Sequence, residues 1–281
     1  MIKSINQWSF PADMTAKACL LAAKRAGFEG FEPAFDEHGA LSLDGFEAGA
    51  KELRALAEQE GMILTSLASG LYWTYSLTAS DPAVREKARG IVRAQIDCAV
   101  ALGVDAILVV PGAVGRGFWG GDDNVSYADA YERAQEAIRA LAPYAEEKGV
   151  TIALENVWNN FLISPLEMAR FIDEVDSPHV KAYFDIGNVL LFGESEHWIH
   201  ALGSRIARMH VKDFKRSVGN INGFCDLMEG DVNFPEVVKA CKAIGYEGPI
   251  TAEMTPYPAY PLEQAYRTSR ALDVILGRIQ E

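Results

Sequence analysis

The sequence predicts an α/β fold built as a single (β/α)8 barrel over residues 1–281, with its site at the C-terminal ends of the strands. Three observations predict it. Short apolar runs alternate eight times with helical patterns. The mean repeat of about 35 residues matches such a barrel in order and total length. No linker-like or low-complexity segment divides the chain. A doubly wound open sheet shares the alternation and is the competing arrangement.

The first apolar segment, residues 2–10, leads to a helical pattern at about 15–26 that stops at Gly27. Residues 30–35 read as strand two, and the helix that follows at about 44–59 stops at Gly61. Strand three is 62–68. Its long helix opens at Asp81-Pro82, an acidic cap with proline at the first helical position, and runs to Leu102 and Gly103. Residues 106–110 are aliphatic throughout, as a parallel strand covered on both faces requires. Ser126 and Asp129, at capping-box spacing, open a helix that runs to Lys148 and ends at Gly149. Strand five is Thr151-Ile-Ala-Leu-Glu155. After it, Ser164-Pro165-Leu166-Glu167 combines a serine cap, a first-turn proline and a glutamate three residues on. Strand six, 180–185, precedes a helix near 196–202, and strand seven is 206–211. A helix from about Asn233 ends at Gly245, strand eight is 249–254, and a last helix spans about 261–278. Long connections at 68–80, 112–125 and 219–232 suit active-site covers.

At 49% hydrophobic, 281 residues bury a large core. A net charge of -13 argues against a nucleic-acid backbone or an anionic membrane as partner, since both attract basic surfaces. The four cysteines, Cys19, Cys98, Cys225 and Cys241, form no Cys-x-x-Cys pair, so neither a disulfide framework nor a thiolate zinc site is indicated. No apolar run reaches the roughly 18 to 20 residues that span a bilayer, and the N-terminus lacks the apolar core of a signal peptide. The expectation is a cytoplasmic protein. Gly115-Arg-Gly-Phe-Trp-Gly120 satisfies a dinucleotide-binding pattern but lies inside a long loop and opens no helix, so it reads as a cover loop.

Strands five to eight each deliver a metal-seeking side chain at their end: Glu155, Asp185, His210 and Glu253. Side chains alternate along a barrel strand, so Glu155 facing the interior carries Ala153 and Thr151 with it. The same parity turns Lys181, Tyr183 and Asp185, then Arg208 and His210, then Thr251 and Glu253 inward. The intervening Phe184, Met209, Ile250 and Ala252 are apolar, as helix-facing positions should be. Strand ends converge above a barrel axis. Three carboxylates stay ionised together there if a cation compensates them, and three oxygen donors with one imidazole suit a hard divalent ion. Manganese, magnesium or cobalt fits better than structural zinc. Lys181 and Arg208, one layer deeper, are expected either to support the carboxylates or to form a structural ion pair.

Several segments resemble those of the xylose-isomerase-like TIM-barrel superfamily of sugar and sugar-phosphate isomerases and epimerases. They are Leu154-Glu155-Asn156, Phe184-Asp185-Ile-Gly-Asn188, Met209-His210-Val-Lys-Asp213, Glu-Gly-Asp-Val-Asn-Phe at 229–234 and Gly-Tyr-Glu-Gly-Pro-Ile-Thr-Ala-Glu at 245–253. The resemblance covers most of the chain and is strongest from residue 150 to 253. Within the superfamily the chain is most similar to ketose 3-epimerases, including those for L-ribulose or L-xylulose 5-phosphate, tagatose and psicose. The resemblance implies that Glu155, Asp185, His210 and Glu253 ligate one divalent metal, most simply manganese, and that Glu155 and Glu253 are also the catalytic acid/base pair. A ketose held through its C2 carbonyl and O3 has an acidified C3 proton and a stabilised cis-enediolate; one glutamate removes the proton and the other returns one on the opposite face.

Asn188 stands where the similar free-sugar epimerases carry a histidine, and Phe161 stands at an often acidic position. Asn156 and Asn188 are expected to meet the substrate, while Lys212 and Arg216, with Lys215 between them, could bind a phosphate or carboxylate terminus. Trp8, Glu32, Trp119 and Trp158 lie near strand ends or in cover loops, where aromatic faces and a carboxylate hold a sugar ring. The expected partner is a small carbohydrate, with a homo-oligomer common among similar enzymes. Three other readings compete: a lyase on the same scaffold, such as an inosose dehydratase or a β-eliminating enzyme; an endonuclease-type phosphodiesterase; and a non-catalytic sugar binder.

Overall fold

The computed structural model describes residues 1–117 and 122–279. Eight parallel strands run in chain order round one sheet: β1 (Ile2–Asn6), β2 (Gly30–Glu32), β3 (Ile63–Leu64), β4 (Ala106–Val109), β5 (Thr151–Glu155), β6 (Val180–Asp185), β7 (Ile206–Val211) and β8 (Pro249–Ala252). The hydrogen-bonded order is β3-β2-β1-β8-β7-β6-β5-β4. The gap between its two ends is closed by Leu67, which accepts from Leu108 N at 3.0 Å and donates to Ala106 O at 3.1 Å. The closed ring is the predicted barrel.

Among the described residues, eight helices cover it: α1 (Ala16–Arg25), α2 (Glu47–Glu60), α3 (Pro82–Leu102), α4 (Tyr127–Lys148), α5 (Pro165–Val175), α6 (Ser195–Leu202), α7 (Phe234–Ala243) and α8 (Pro261–Ile275). The predicted caps form. Asp81, Ser126 and Ser164 side chains accept first-turn N–H groups, and Gly61, Gly103 and Gly149 take the left-handed conformation that ends a helix. Helix-facing strand residues such as Phe184, Met209, Leu154 and Ala252 are fully buried against the helices.

Strands two and three are shorter than the sequence predicts. Pro33 has no N–H to continue the ladder, so the chain bends there, and Ala34–Phe35 pairs instead with Ala68–Ser69 above the barrel. The long connection between β7 and α7 also acquires order: Asp213–Phe214 and Phe224–Cys225 form an antiparallel pair over the barrel mouth. β8 ends at Ala252, yet Glu253 N still donates to Val211 O at 3.2 Å, which keeps its side chain in step with β7.

Candidate active site

The strand register brings the four predicted ligands to one level. In the β6–β7 pairing an irregularity between Ala182 and Tyr183 skips Ala207, so Asp185 stands opposite His210. Thr251 also pairs with His210, which places Glu253 just above it. One ligand atom from each of Glu155, Asp185, His210 and Glu253 lies within 4.8 Å of the others. His210 is fully buried, with Nδ1 3.1 Å from Glu155 Oε1 and 2.9 Å from Glu253 Oε2. Its Nε2 lies 2.7 Å from Glu32 Oε2.

This donor set fits a divalent ion. Asp185 Oδ2 is buried beside the Lys212 ammonium without forming an aligned hydrogen bond, a shortfall that a bound cation removes. Glu155 and Glu253 meet one imidazole nitrogen, Asp185 lies in the same cluster, and the opposite nitrogen is fixed by a fourth carboxylate, the usual way a metal-binding histidine is oriented. Lys212 contributes positive charge: Nζ lies 3.1 Å from Asp185 Oδ2 and 2.9 Å from Glu253 Oε2. Burial pushes the Glu155 carboxyl up to about 7, more than His210 and Lys212 draw it down. Burial opposes ionisation of Glu253 too, but the Lys212 charge and the His210 bond prevail and lower it to about 2. Burial disfavours a charged imidazole, yet Tyr183, Glu32 and the two cavity glutamates hold the His210 pKa well above its ordinary value.

Two joined cavities of about 580 and 120 Å³ open above the cluster and share Trp8, Lys212, Ile221, Phe224 and Glu253. Glu155, Trp73, Trp158 and Asn188 line the smaller, inner one. Phe224 packs 5.2 Å from the Trp158 ring and 5.1 Å from Phe214, so the hairpin of the 219–232 connection leans on an aromatic wall. Asp213 anchors that connection by accepting from Gly230 N at 2.9 Å and Val232 N at 3.1 Å.

Trp8, Asn188 and Lys212 line the cavity; Trp119 lies outside the described residues. Other expected contacts lie elsewhere. Glu32 has no exposed surface: Tyr183 and Ser66 hydroxyls each donate to its Oε1 at 2.6 Å, and Asn6 and His210 engage its Oε2. It steadies the imidazole rather than a sugar ring. Asn156 gives its whole amide to the backbone of Asp185, accepting from N at 2.8 Å and donating to O at 2.9 Å. It ties β5 to β6 at the ligand level. Arg216 forms a two-pronged pair with Glu194 at 2.8 and 2.7 Å outside the cavity, and Lys215 faces Glu229 at 3.5 Å. Lys181 and Arg208 point away from the carboxylates. Lys181 Nζ donates to Ser204 O, and Arg208 to Thr65 O and the Asp105 carboxylate. The residues missed were those that act through others or enter from loops: Asn6, Ser66 and Tyr183 behind Glu32, and Trp73, Phe224, Asp226, Tyr257 and Gln264 on the wall. Tyr183 carried a signal, the same inward parity as Asp185.

The model of the xylose isomerase-like TIM barrel family matches residues 20–273. Over 244 residues, 85% of the chain, the sequence is 28% identical to a protein named L-ribulose 3-epimerase from Methylomonas sp. (strain DH-1), covering 78% of that protein. Over 260 residues, 89% of the chain, it is 27% identical to a putative L-ribulose-5-phosphate 3-epimerase of Escherichia coli (strain K12), covering 87% of it. A crystal structure of D-psicose 3-epimerase in the presence of D-fructose superposes with a TM-score of 0.81 at 18% identity, covering 99% of this chain and 100% of the other.

Proposed function

The chain belongs to the xylose isomerase-like TIM barrel family, and we propose that it is a divalent-metal-dependent isomerase or epimerase of a keto-sugar or keto-sugar phosphate that transfers the C3 proton through Glu155 and Glu253. The observation that carries this reading is the convergence of Glu155, Asp185, His210 and Glu253 at one point under the cavity. A divalent ion bound by these four, manganese in our reading with magnesium or cobalt as alternatives, supplies the charge that acidifies a proton beside a ketone and offsets the negative charge left on its oxygens.

The chain's own residues do the rest. Glu155 and Glu253 border the cavity from β5 and β8, which β6 and β7 separate in the ring, so they approach a bound molecule from different sides. Before an ion binds their environments differ: burial raises the Glu155 carboxyl, while Lys212 and His210 lower that of Glu253. A bound ion lowers both, so each carboxylate can take a proton on its own side of the substrate and return it from there. Trp8, Trp158 and Phe224 wall off water and offer apolar faces to a sugar ring. The relatives bearing the names of ketose and ketose-phosphate 3-epimerases support the same chemistry.

Incubation with manganese and a ketose in deuterated water tests this. Solvent deuterium at C3 of the recovered sugars is expected; loss of water or of a leaving group without label at C3 assigns elimination instead. Replacing either glutamate, Glu155→Gln or Glu253→Gln, is expected to slow exchange by at least about 100-fold, and unchanged turnover in either variant removes the acid/base assignment.

A further inference from the structure

The outer wall of the cavity carries hydrogen-bond acceptors that proton transfer at C3 does not use. Asp226 follows the Phe224–Cys225 strand, Tyr257 lies in the loop after β8, and Gln264 sits near the start of α8; all three line the larger cavity. Gln264 Nε2 donates to Asp226 Oδ1 at 2.9 Å, and the Tyr257 hydroxyl donates to Asp226 Oδ2. Gln264 is 1% exposed, and its Oε1 has no hydrogen-bond partner. A buried amide oxygen without a donor is costly, and a bound molecule that supplies one removes the cost.

The charge on this wall is one-sided. Among the described residues lining the two joined cavities, Lys212 is the one Lys or Arg, and its ammonium is shared between Asp185 and Glu253. Glu155, Glu253 and Asp226 are the carboxylates. Nearby cations are engaged elsewhere: Lys215 faces Glu229, Arg216 pairs with Glu194, and Arg267, 5.7 Å from the Tyr257 ring, pairs with Glu263 at 3.4 Å.

We infer that Asp226 and Gln264 form a subsite for the hydroxyl-bearing end of an unphosphorylated sugar, with Tyr257 holding Asp226 in place. This rests on the epimerase reading above and narrows its substrate to neutral keto-sugars. A sugar hydroxyl donates to a carboxylate or an amide oxygen. A terminal phosphate, with its second pKa at about 6, is largely dianionic at neutral pH, offers no proton to either acceptor and meets like charge at Asp226.

The test compares L-ribulose, D-psicose and L-ribulose 5-phosphate on the manganese-loaded full chain, following both turnover and deuterium entry at C3. The expected kcat/KM for the better neutral ketose exceeds that for the phosphate by roughly 100-fold or more. Asp226→Asn and Gln264→Leu are each expected to raise KM for the neutral ketose roughly tenfold, more than they lower kcat, and Asp226→Lys to shift preference toward the phosphate. Equal or better turnover of the phosphate by the unmodified chain overturns the inference and leaves the epimerase reading standing. Unchanged KM in both Asp226→Asn and Gln264→Leu also overturns it, and reduces the cluster to a clamp between loops. If no ketose of either kind exchanges its C3 proton, the epimerase reading fails and this inference falls with it.

Discussion

Glu32 shapes the site from behind, through the imidazole of His210 178 positions away in sequence. For Nδ1 to face the proposed ion its opposite nitrogen needs holding, and Glu32 does this with Tyr183, Ser66 and Asn6 around it. Glu32→Gln is therefore expected to weaken manganese affinity about 10- to 100-fold while the fold survives, as read by metal titration and circular dichroism. The same histidine couples metal uptake to pH. Although burial opposes its charge, Tyr183 and the carboxylates around it raise its pKa, so an incoming ion has to displace a proton from Nδ1. Affinity is expected to fall as pH is lowered, and calorimetry in buffers of different ionisation enthalpy should show proton release on binding. At this scale the sequence made the ligands legible but not their orientation. Glu32 ends β2 as Glu155 ends β5, and Asn156 follows directly, yet which way such a side chain turns depends on partners contributed by other strands.

Among the elements, β7 and the β3–β4 seam decide most. Strand parity gives the face of each residue, and the step over Ala207 sets Asp185 beside His210 rather than beside Met209. Parity says nothing of height: Lys181 is four residues before Asp185, about 13 Å along a strand at roughly 3.3 Å per residue, which explains why it reaches Ser204 and not the carboxylates. The seam has a single bridge at Leu67, stitched by Gln95 of α3, whose Nε2 donates to Leu67 O at 2.8 Å and Leu108 O at 3.2 Å. Gln95→Leu removes both bonds and strips the buried Tyr72 hydroxyl of its acceptor, and is expected to cost about 1–3 kcal/mol in urea unfolding. In the loop over the mouth, a Cβ at Gly230 would lie 2.2 Å from Asp213 Oδ1. Gly230→Ala should therefore displace the 226–232 turn and raise KM, with manganese affinity kept, a split that kinetics and metal titration read separately.

Over the whole molecule, closure joins the two ends of the chain. β1 pairs with β8, and the buried Lys3 ammonium meets both carboxylate oxygens of Asp273 at 2.7 Å and the Ser269 hydroxyl at 3.0 Å. Asp273→Ala strips that ammonium of its charged partner and is expected to lower stability by about 1–3 kcal/mol. Metal should act on the molecule as a ligand of the folded state: manganese at about 100 times its Kd is expected to add about 2.7 kcal/mol. A chelator should remove that gain, and so should Asp185→Ala. No described helix is long and apolar enough to cross a membrane.

The sequence by itself determined the number and order of elements, the caps at Asp81, Ser126 and Ser164, and the four metal-seeking side chains at strand ends. Each of these rests on neighbours within a few residues or on one repeated period, which composition and spacing encode directly. Only the tertiary structure decided that Glu32 and Asn156 serve other side chains, that Arg216 turns outward to Glu194, and that Asp226, Tyr257 and Gln264 share one wall. Those pairings depend on register, on strand height and on loops folding back across the barrel mouth, where residues distant in the chain compete for the same hydrogen-bond partner.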